Sequence, residues 1–303
     1  EGEIIRLYKK KSNEIVKTWV NLEPRLSATL LLSPSVSIKA GYTRTTQNIH
    51  ALRNQSLSTP FDRYALTSNI LKPEIADQIS AGVFAVTPDE MYDMSIEAYW
   101  RTISNVADYR DGKTFSSEIE IERLILAGKG RGYGIETSIR KNKGRLTGWL
   151  SYTLAWSKTR IDGINGGRWY DANNDRRHDI NIVCMYQASK RWKVAATWVY
   201  NSGQAFTAPY GKYEIIDNWV YYYPERNSYR APAYHRMDLS ATWSKRTPKT
   251  GTLSQWTFSI YNAYNRYNAL LIDFEDSSDG ARTKAKQYSL FGILPSVAYS
   301  VYF

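Results

Sequence analysis

An all-β chain, and within that class a transmembrane antiparallel β-barrel, is the fold that this sequence predicts, on three observations. Apolar and polar residues alternate from end to end of the 303 residues, with almost no helical periodicity. Short and long connections follow one another without exception, the order produced by an up-and-down sheet with all its long loops at one end. Tyr (24) and Trp (10) far outnumber Phe (8), so most rings carry a polar handle suited to a boundary that is apolar on one side and wet on the other.

Composition narrows the class further. With 18 Gly, 10 Pro and 1 Cys, collagen, low-complexity disorder and disulfide scaffolds are excluded. No stretch approaches the ~18 consecutive apolar residues of a membrane helix. The net charge of +11 admits nucleic acid, anionic lipid or acidic ligands without selecting among them. No basic helix or known module accompanies the charge, so nucleic acid is not an expected partner. The lone Cys184 leaves the redox compartment open, and a chain that starts at Glu1 without a signal pattern reads as a processed form or a fragment.

Eleven strands are predicted in chain order: Trp19–Leu32, Val36–Gln47, Glu74–Val86, Met91–Val106, Lys129–Lys141 and Arg145–Ser157, then Arg177–Gln187, Arg191–Asn201, His235–Arg246, Thr252–Asn265 and Tyr288–Phe303. Each carries one apolar and one polar face, because successive side chains of a strand point to opposite sides. Tyr92, Met94, Ile96, Ala98 and Trp100 form one such row, and Leu150, Tyr152, Leu154 and Trp156 another. Glu118–Ala127 reads either as an extension of the fifth strand or as loop, and Pro295 predicts a bulge or a tolerated loss of an N–H.

Turn chemistry marks the short connections at Ser33–Ser35, Thr87–Asp89, Asn142–Gly144, Ala188–Lys190 and Thr247–Gly251. The long ones are Asn48–Lys72, Ala107–Gly128, Lys158–Arg176, Ser202–Tyr234 and Arg266–Lys286.

A soluble sandwich, barrel or propeller would also alternate. Three features favour the membrane. The segments reach the ~9–11 residues that a transmembrane strand needs. Trp149, Trp192, Trp243 and Trp256 lie near short turns while Trp100, Trp156 and Trp198 lie toward the opposite ends, as two interface belts would. Finally, Val297, Tyr299, Val301 and the terminal Phe303 resemble the assembly signal of bacterial outer-membrane proteins. That resemblance implies the barrel-assembly machinery as a partner, and it puts Phe303 on the periplasmic side with the short turns.

The ordered set of segments Asn21–Ser27, Lys72–Glu74, Gly130–Glu136 (GRGYGIE), Asp175–Ile180 (DRRHDI), Glu225–Leu239 and Tyr261–Asn265 resembles the C-terminal half of TonB-dependent outer-membrane receptors, Bacteroidetes type. The resemblance implies eleven strands of a 22-stranded barrel in the outer membrane of a Gram-negative bacterium. It also implies that the plug, the TonB-contacting segment and the first barrel half lie outside this sequence, with a surface lipoprotein as a further candidate partner. An odd strand count points the same way, since a closed bacterial barrel has an even number and an open one would leave unpaired edges in lipid.

No catalytic constellation, metal site or cofactor site is expected. His50, His178 and His235 lack ligand spacing, and Asp171, Asn173 and Asp175 start like a calcium loop whose Gly position is Arg176 and whose closing Glu position is Ile182. The GxGxG of Gly130, Gly132 and Gly134 lies on a strand with no helix after it.

The leading ligand candidates are Tyr210, Tyr213, Trp219, Tyr221, Tyr222, Tyr223, Arg226, Tyr229 and Arg230, with Arg168, Trp169 and Tyr170 second. Rings at a pore mouth offer stacking faces and arginines grip carboxylate or phosphate, although the same residues could simply pack their loops. Glu97, Thr153 and Asp238 read as inner wall, where plug contacts would occur. Lys141, Lys143, Arg145, Lys190, Arg191, Lys193, Lys245, Arg246 and Lys249 gather at the short turns, where they would meet leaflet phosphates.

The function expected is active, TonB-driven nutrient uptake. A passive porin-like channel and a surface-binding β protein are the alternatives, and the substrate stays open among glycan fragments, siderophores, cobalamin and peptides.

Overall fold

The structure is a computed structural model that describes residues 15, 17–52, 63–110, 124–216, 218–247, 251–277 and 282–303. The alternating rows form one antiparallel sheet whose wall strands are β1 (Arg25–Ser33), β2 (Val36–Gln47), β3 (Glu74–Val86), β4 (Tyr92–Tyr109), β5 (Ile125–Lys141) and β6 (Leu146–Arg160). The rest are β7 (His178–Gln187), β8 (Trp192–Asn201), β9 (Tyr234–Arg246), β10 (Leu253–Tyr261) and β11 (Leu294–Tyr302). They pair in chain order from β1 to β11, and a two-residue strand, Tyr170–Asp171, adds a twelfth member beside β6. The sheet does not close on itself, and every residue of β1 and β11 is exposed.

Register shows why the pattern has period two. Ile38, Val83, Ile96, Ile139, Leu150, Val194, Phe258 and Val297 all lie on one face, and all are exposed. An apolar face of this extent in water would be a liability, whereas lipid is its natural solvent. The opposite face is polar: Lys39, Glu97, Glu136, Thr153 and Asp179 share one lumenal row. Asp238 lies on that face too, 2.9 Å from Arg236.

Both aromatic belts are present. Trp192, Trp243, Trp256 and Tyr299 are consecutive cross-strand partners near the short turns. Toward the long loops, Tyr133 stacks between Trp100 and Trp156 at 4.9 and 5.3 Å between ring centres. Trp149 is the exception. It pairs with Arg140 and Val183, one residue out of step with Leu150, so the pleat turns it to the lumenal face rather than into the belt.

Several boundaries differ from those expected. β1 starts at Arg25 rather than Trp19, just after Pro24, which has no N–H to donate. β4 runs on to Tyr109 past a bulge at Asn105 (φ 62°), whose side chain donates to the Pro73 carbonyl at 2.8 Å. β5 begins at Ile125, so the last residues of Glu118–Ala127 extend it, while residues 118–123 lie outside the described residues. β10 ends at Tyr261, ahead of the left-handed Asn262 and Asn265. Tyr288 belongs to a loop hairpin, which delays β11 to Leu294. Pro295 sits in unbroken register opposite Ile260, without a bulge, one residue from the start of its strand. Residues 248–250, including Lys249, lie outside the described residues.

Among the GRGYGIE glycines, Gly134 is explained by packing. Gly130, Gly132 and Gly134 are on the lumenal face of β5, and a Cβ at Gly134 would come within 2.6 Å of the Leu154 carbonyl oxygen and 3.1 Å of the Tyr99 ring. The absent side chain leaves room for its cross-strand partner Tyr99 to lie across the strand.

Candidate functional site

The long connections are not bare loops. They carry hairpins at Ile49–Leu52 with Arg63–Leu66, Gly211–Ile215 with Asn218–Tyr222, and Leu271–Asp276 with Thr283–Tyr288, plus the short pair Ala205–Phe206 with Tyr229–Arg230. Among the described residues, both buried apolar clusters lie in this part of the molecule. One holds Leu52, Ala65, Leu71, Tyr109, Leu124 and Ile125, the other Ile161, Ile164 and Tyr170.

The arginines of the candidate set are engaged with the protein itself. Arg226 is buried, with Nη1 2.8 Å from Asp108 Oδ2 and donating to the Tyr109 carbonyl at 2.8 Å. Its backbone N–H donates to Asn165 Oδ1 at 2.7 Å, and Asn165 Nδ2 returns a bond to the Arg226 carbonyl at 3.1 Å. Arg230 pairs with Asp171 at 2.7 Å and with the buried Asp175, and it also donates to the Gly203 carbonyl. The carboxylates that superficially resembled a calcium loop are thus salt-bridge partners. Arg168 meets Glu225 at 2.6 Å in an exposed pair. Tyr170 is packed in a core, and the half-buried Trp169 lies under the Arg131 guanidinium at 4.2 Å.

The tyrosines divide by face. In the hairpin of 211–222, Gly211 pairs with Tyr222, Tyr213 with Val220, and Lys212 with Tyr221. Lys212, Trp219 and Tyr221 therefore share one side, turned toward the neighbouring hairpin. There Asp276 receives Lys212 Nζ and the Tyr221 hydroxyl, each at 2.9 Å. Those hydrogen bonds, led by Lys212, hold the Asp276 carboxyl below the usual carboxylate range. Burial, then the hydrogen bond to Asp276, pushes the Tyr221 hydroxyl up. Tyr213 and Tyr222 occupy the other side and are about half exposed, and Tyr210 at the base of the hairpin is 74% exposed. Phe206 links the bases of the two loops, stacking on Phe274 and tilting against Tyr229.

The structure thus leaves Tyr213 and Tyr222 exposed on one side of a hairpin and Tyr210 exposed at its base, on a loop tied to the wall through Arg226 and Arg230. Asp108, Asn165, Lys212 and Asp276 were not singled out from the sequence. Asp276 lies 64 residues from Lys212, and no local signal couples them.

The family described as TonB dependent receptor-like, beta-barrel, matches residues 8–265. The chain belongs to this family. Its strands are those of a Gram-negative outer-membrane barrel. Solved structures with the same fold include the ferripyoverdine receptor of the outer membrane of Pseudomonas aeruginosa, at 12% identity and a TM-score of 0.56, covering 92% of this chain and 32% of that one. The ferric-catecholate import receptor Fiu of E. coli K12 matches at 16% identity and a TM-score of 0.54, covering 92% and 34%. The FrpB iron transporter of Neisseria meningitidis matches at 11% identity and a TM-score of 0.54, covering 93% and 39%. The chain thus spans about a third of the length of these relatives. No curated protein matches it.

Proposed function

We propose that this chain is the C-terminal half of the wall of a TonB-dependent uptake receptor of Bacteroidetes type, with ligand captured by the exposed rings of the 205–234 loop. The observation that carries the reading is the open eleven-strand order with both edges unpaired, in a chain of the TonB-dependent receptor-like barrel family. Unpaired edges are prohibitive in lipid, so a first barrel half must supply the partners of β1 and β11.

A plug is part of this reading. Glu97 and Glu136 stand directly opposite one another on the lumenal face, a like-charge pair that a basic residue of the plug would relieve. Energy reaches the receptor through TonB acting on that plug, and the chain itself performs no catalysis. The barrel-assembly machinery reads Val297, Tyr299, Val301 and Phe303, three of them on the lipid face of β11 and Phe303 fully exposed at its end. A surface lipoprotein covering the loops is a further partner. Tyr210, Tyr213 and Tyr222 suit a ligand with flat faces, a class that includes sugar rings and the ferric-chelate complexes of the relatives.

Uptake of a panel of labelled candidates by cells carrying the full-length receptor tests this reading. Uptake is expected to stop when the proton-motive force is dissipated, and to fall at least tenfold when residues 205–234 are deleted from an assembled barrel. Uptake that persists without energy would identify a passive channel, and unchanged uptake after the deletion would remove the loop from the binding site.

A further inference from the structure

Immediately above the outer aromatic belt, the lipid-side face of the wall changes from apolar to strongly basic. Tyr133 and Trp156 are belt partners; two residues further along the same face Arg131 stands opposite Lys158, and two further still Lys129 stands opposite Arg160. Four cations therefore occupy a two-by-two square on adjacent strands. Like charges directly opposite one another destabilise a sheet, so the square calls for negative charge.

The described residues supply only part of it. Lys158 has Asp171 at 3.1 Å, and Arg131 has the Trp169 ring, but Arg131 Nε is buried and, among the described residues, has no hydrogen-bond partner. Lys129 and Arg160 are exposed and, among the described residues, neither has a carboxylate partner. In the same row two strands away, by contrast, the face is neutralised: Arg44 is held by Asp77 at 2.7 Å.

Depth gives the identity of the missing anion. Each pair of residues advances a strand about 7 Å, and a tilt near 45° turns this into roughly 5 Å along the membrane normal. The two cation rows thus lie about 5 and 10 Å beyond the belt, within and at the outer margin of the headgroup layer, which is roughly 5–8 Å thick per leaflet. The geometry points to a binding site for the phosphate groups of an outer-leaflet lipid, formed by Lys129, Arg131, Lys158 and Arg160. Trp169 backs Arg131, and the Trp100–Tyr133–Trp156 stack lies beneath, against the acyl chains. The site rests on the barrel orientation and is independent of what the receptor transports.

The test is native mass spectrometry of the full-length receptor in detergent, titrated with lipid A carrying two phosphates, with the same lipid stripped of phosphate, and with inorganic phosphate. The receptor is expected to retain lipid A selectively. Lys129→Ala with Arg160→Ala should weaken that binding roughly thirtyfold, at about 1 kcal/mol per basic residue near a charged surface. Lys129→Arg with Arg160→Lys should preserve it. Heat-modifiable migration confirms that each variant is an assembled barrel, so a failed barrel is distinguished from a failed site. Equal retention by the Lys129/Arg160 alanine variant, equal binding of the phosphate-free lipid, or inorganic phosphate competing at the concentration of lipid A would each overturn the assignment.

Discussion

Arg226 and Arg168 show how little a residue type says about its use. Both were expected to grip a ligand, and both are in ion pairs, yet the pairs differ in kind. Arg226 with Asp108 has side chains 6% and 16% exposed, whereas Arg168 with Glu225 has 71% and 44%. Removing one partner of a buried pair leaves an uncompensated charge and costs about 3–5 kcal/mol, while an exposed pair contributes about 0–1 kcal/mol. Arg226→Ala should therefore lower the opening free energy of the 205–230 segment by about 3 kcal/mol, read by hydrogen exchange in the assembled receptor, whereas Arg168→Ala should move it by less than about 1 kcal/mol. Similar effects from the two would remove Arg226 from its role as the loop's anchor.

Among the elements, the hairpins of the long loops were the least legible. Their strands run only 2 to 6 residues, too short for a period-two pattern to stand out from a polar loop. The hairpin of Ile49–Leu52 and Arg63–Leu66 carries a buried histidine whose sequence context is bland. His50 Nε2–H donates to the Lys72 carbonyl at 3.0 Å, while Nδ1 is buried and, among the described residues, has no partner. Burial pushes the His50 pKa below 6.5, only partly offset by the hydrogen bond to Lys72. The unfolded hairpin then takes the proton more readily than the folded one, so stability is full above pH 6.5 and declines as pH falls below it. Backbone exchange at 49–52 and 63–66, corrected for intrinsic rate, should rise between pH 7.5 and about 5. His50→Gln should abolish that dependence, and an unchanged profile in the variant would assign it elsewhere. The wall strands were far easier to read, because period two and turn chemistry are local properties. Trp149 lies close to a turn yet faces the lumen, because the pleat and not the nearby turn decides the face.

For the whole molecule, the open sheet makes assembly a matter of edges. β11 is an edge whose lipid face ends at Val301, with Phe303 beyond it, while β10 pairs with it along its full length from Leu253 to Tyr261. Deleting Phe303 from the full-length receptor should impair outer-membrane assembly severalfold, seen as loss of heat-modifiable barrel, without altering the pairing of β10 with β11. Normal yield from the deletion would rule out the terminal residues as the assembly signal.

The sequence by itself determined the β class, the order and number of wall strands, the two faces and the two belts, because each follows from side-chain alternation and turn residues within a dozen positions. Only the tertiary structure decided what the loop side chains do. Arg226 meets the Tyr109 carbonyl across 117 residues and Arg230 meets Asp175 across 55, and such partners are chosen by how the loops pack, not by any neighbour in the chain. The basic square belongs to both. Its four residues are ordinary charges in sequence, and the register between β5 and β6 sets them face to face.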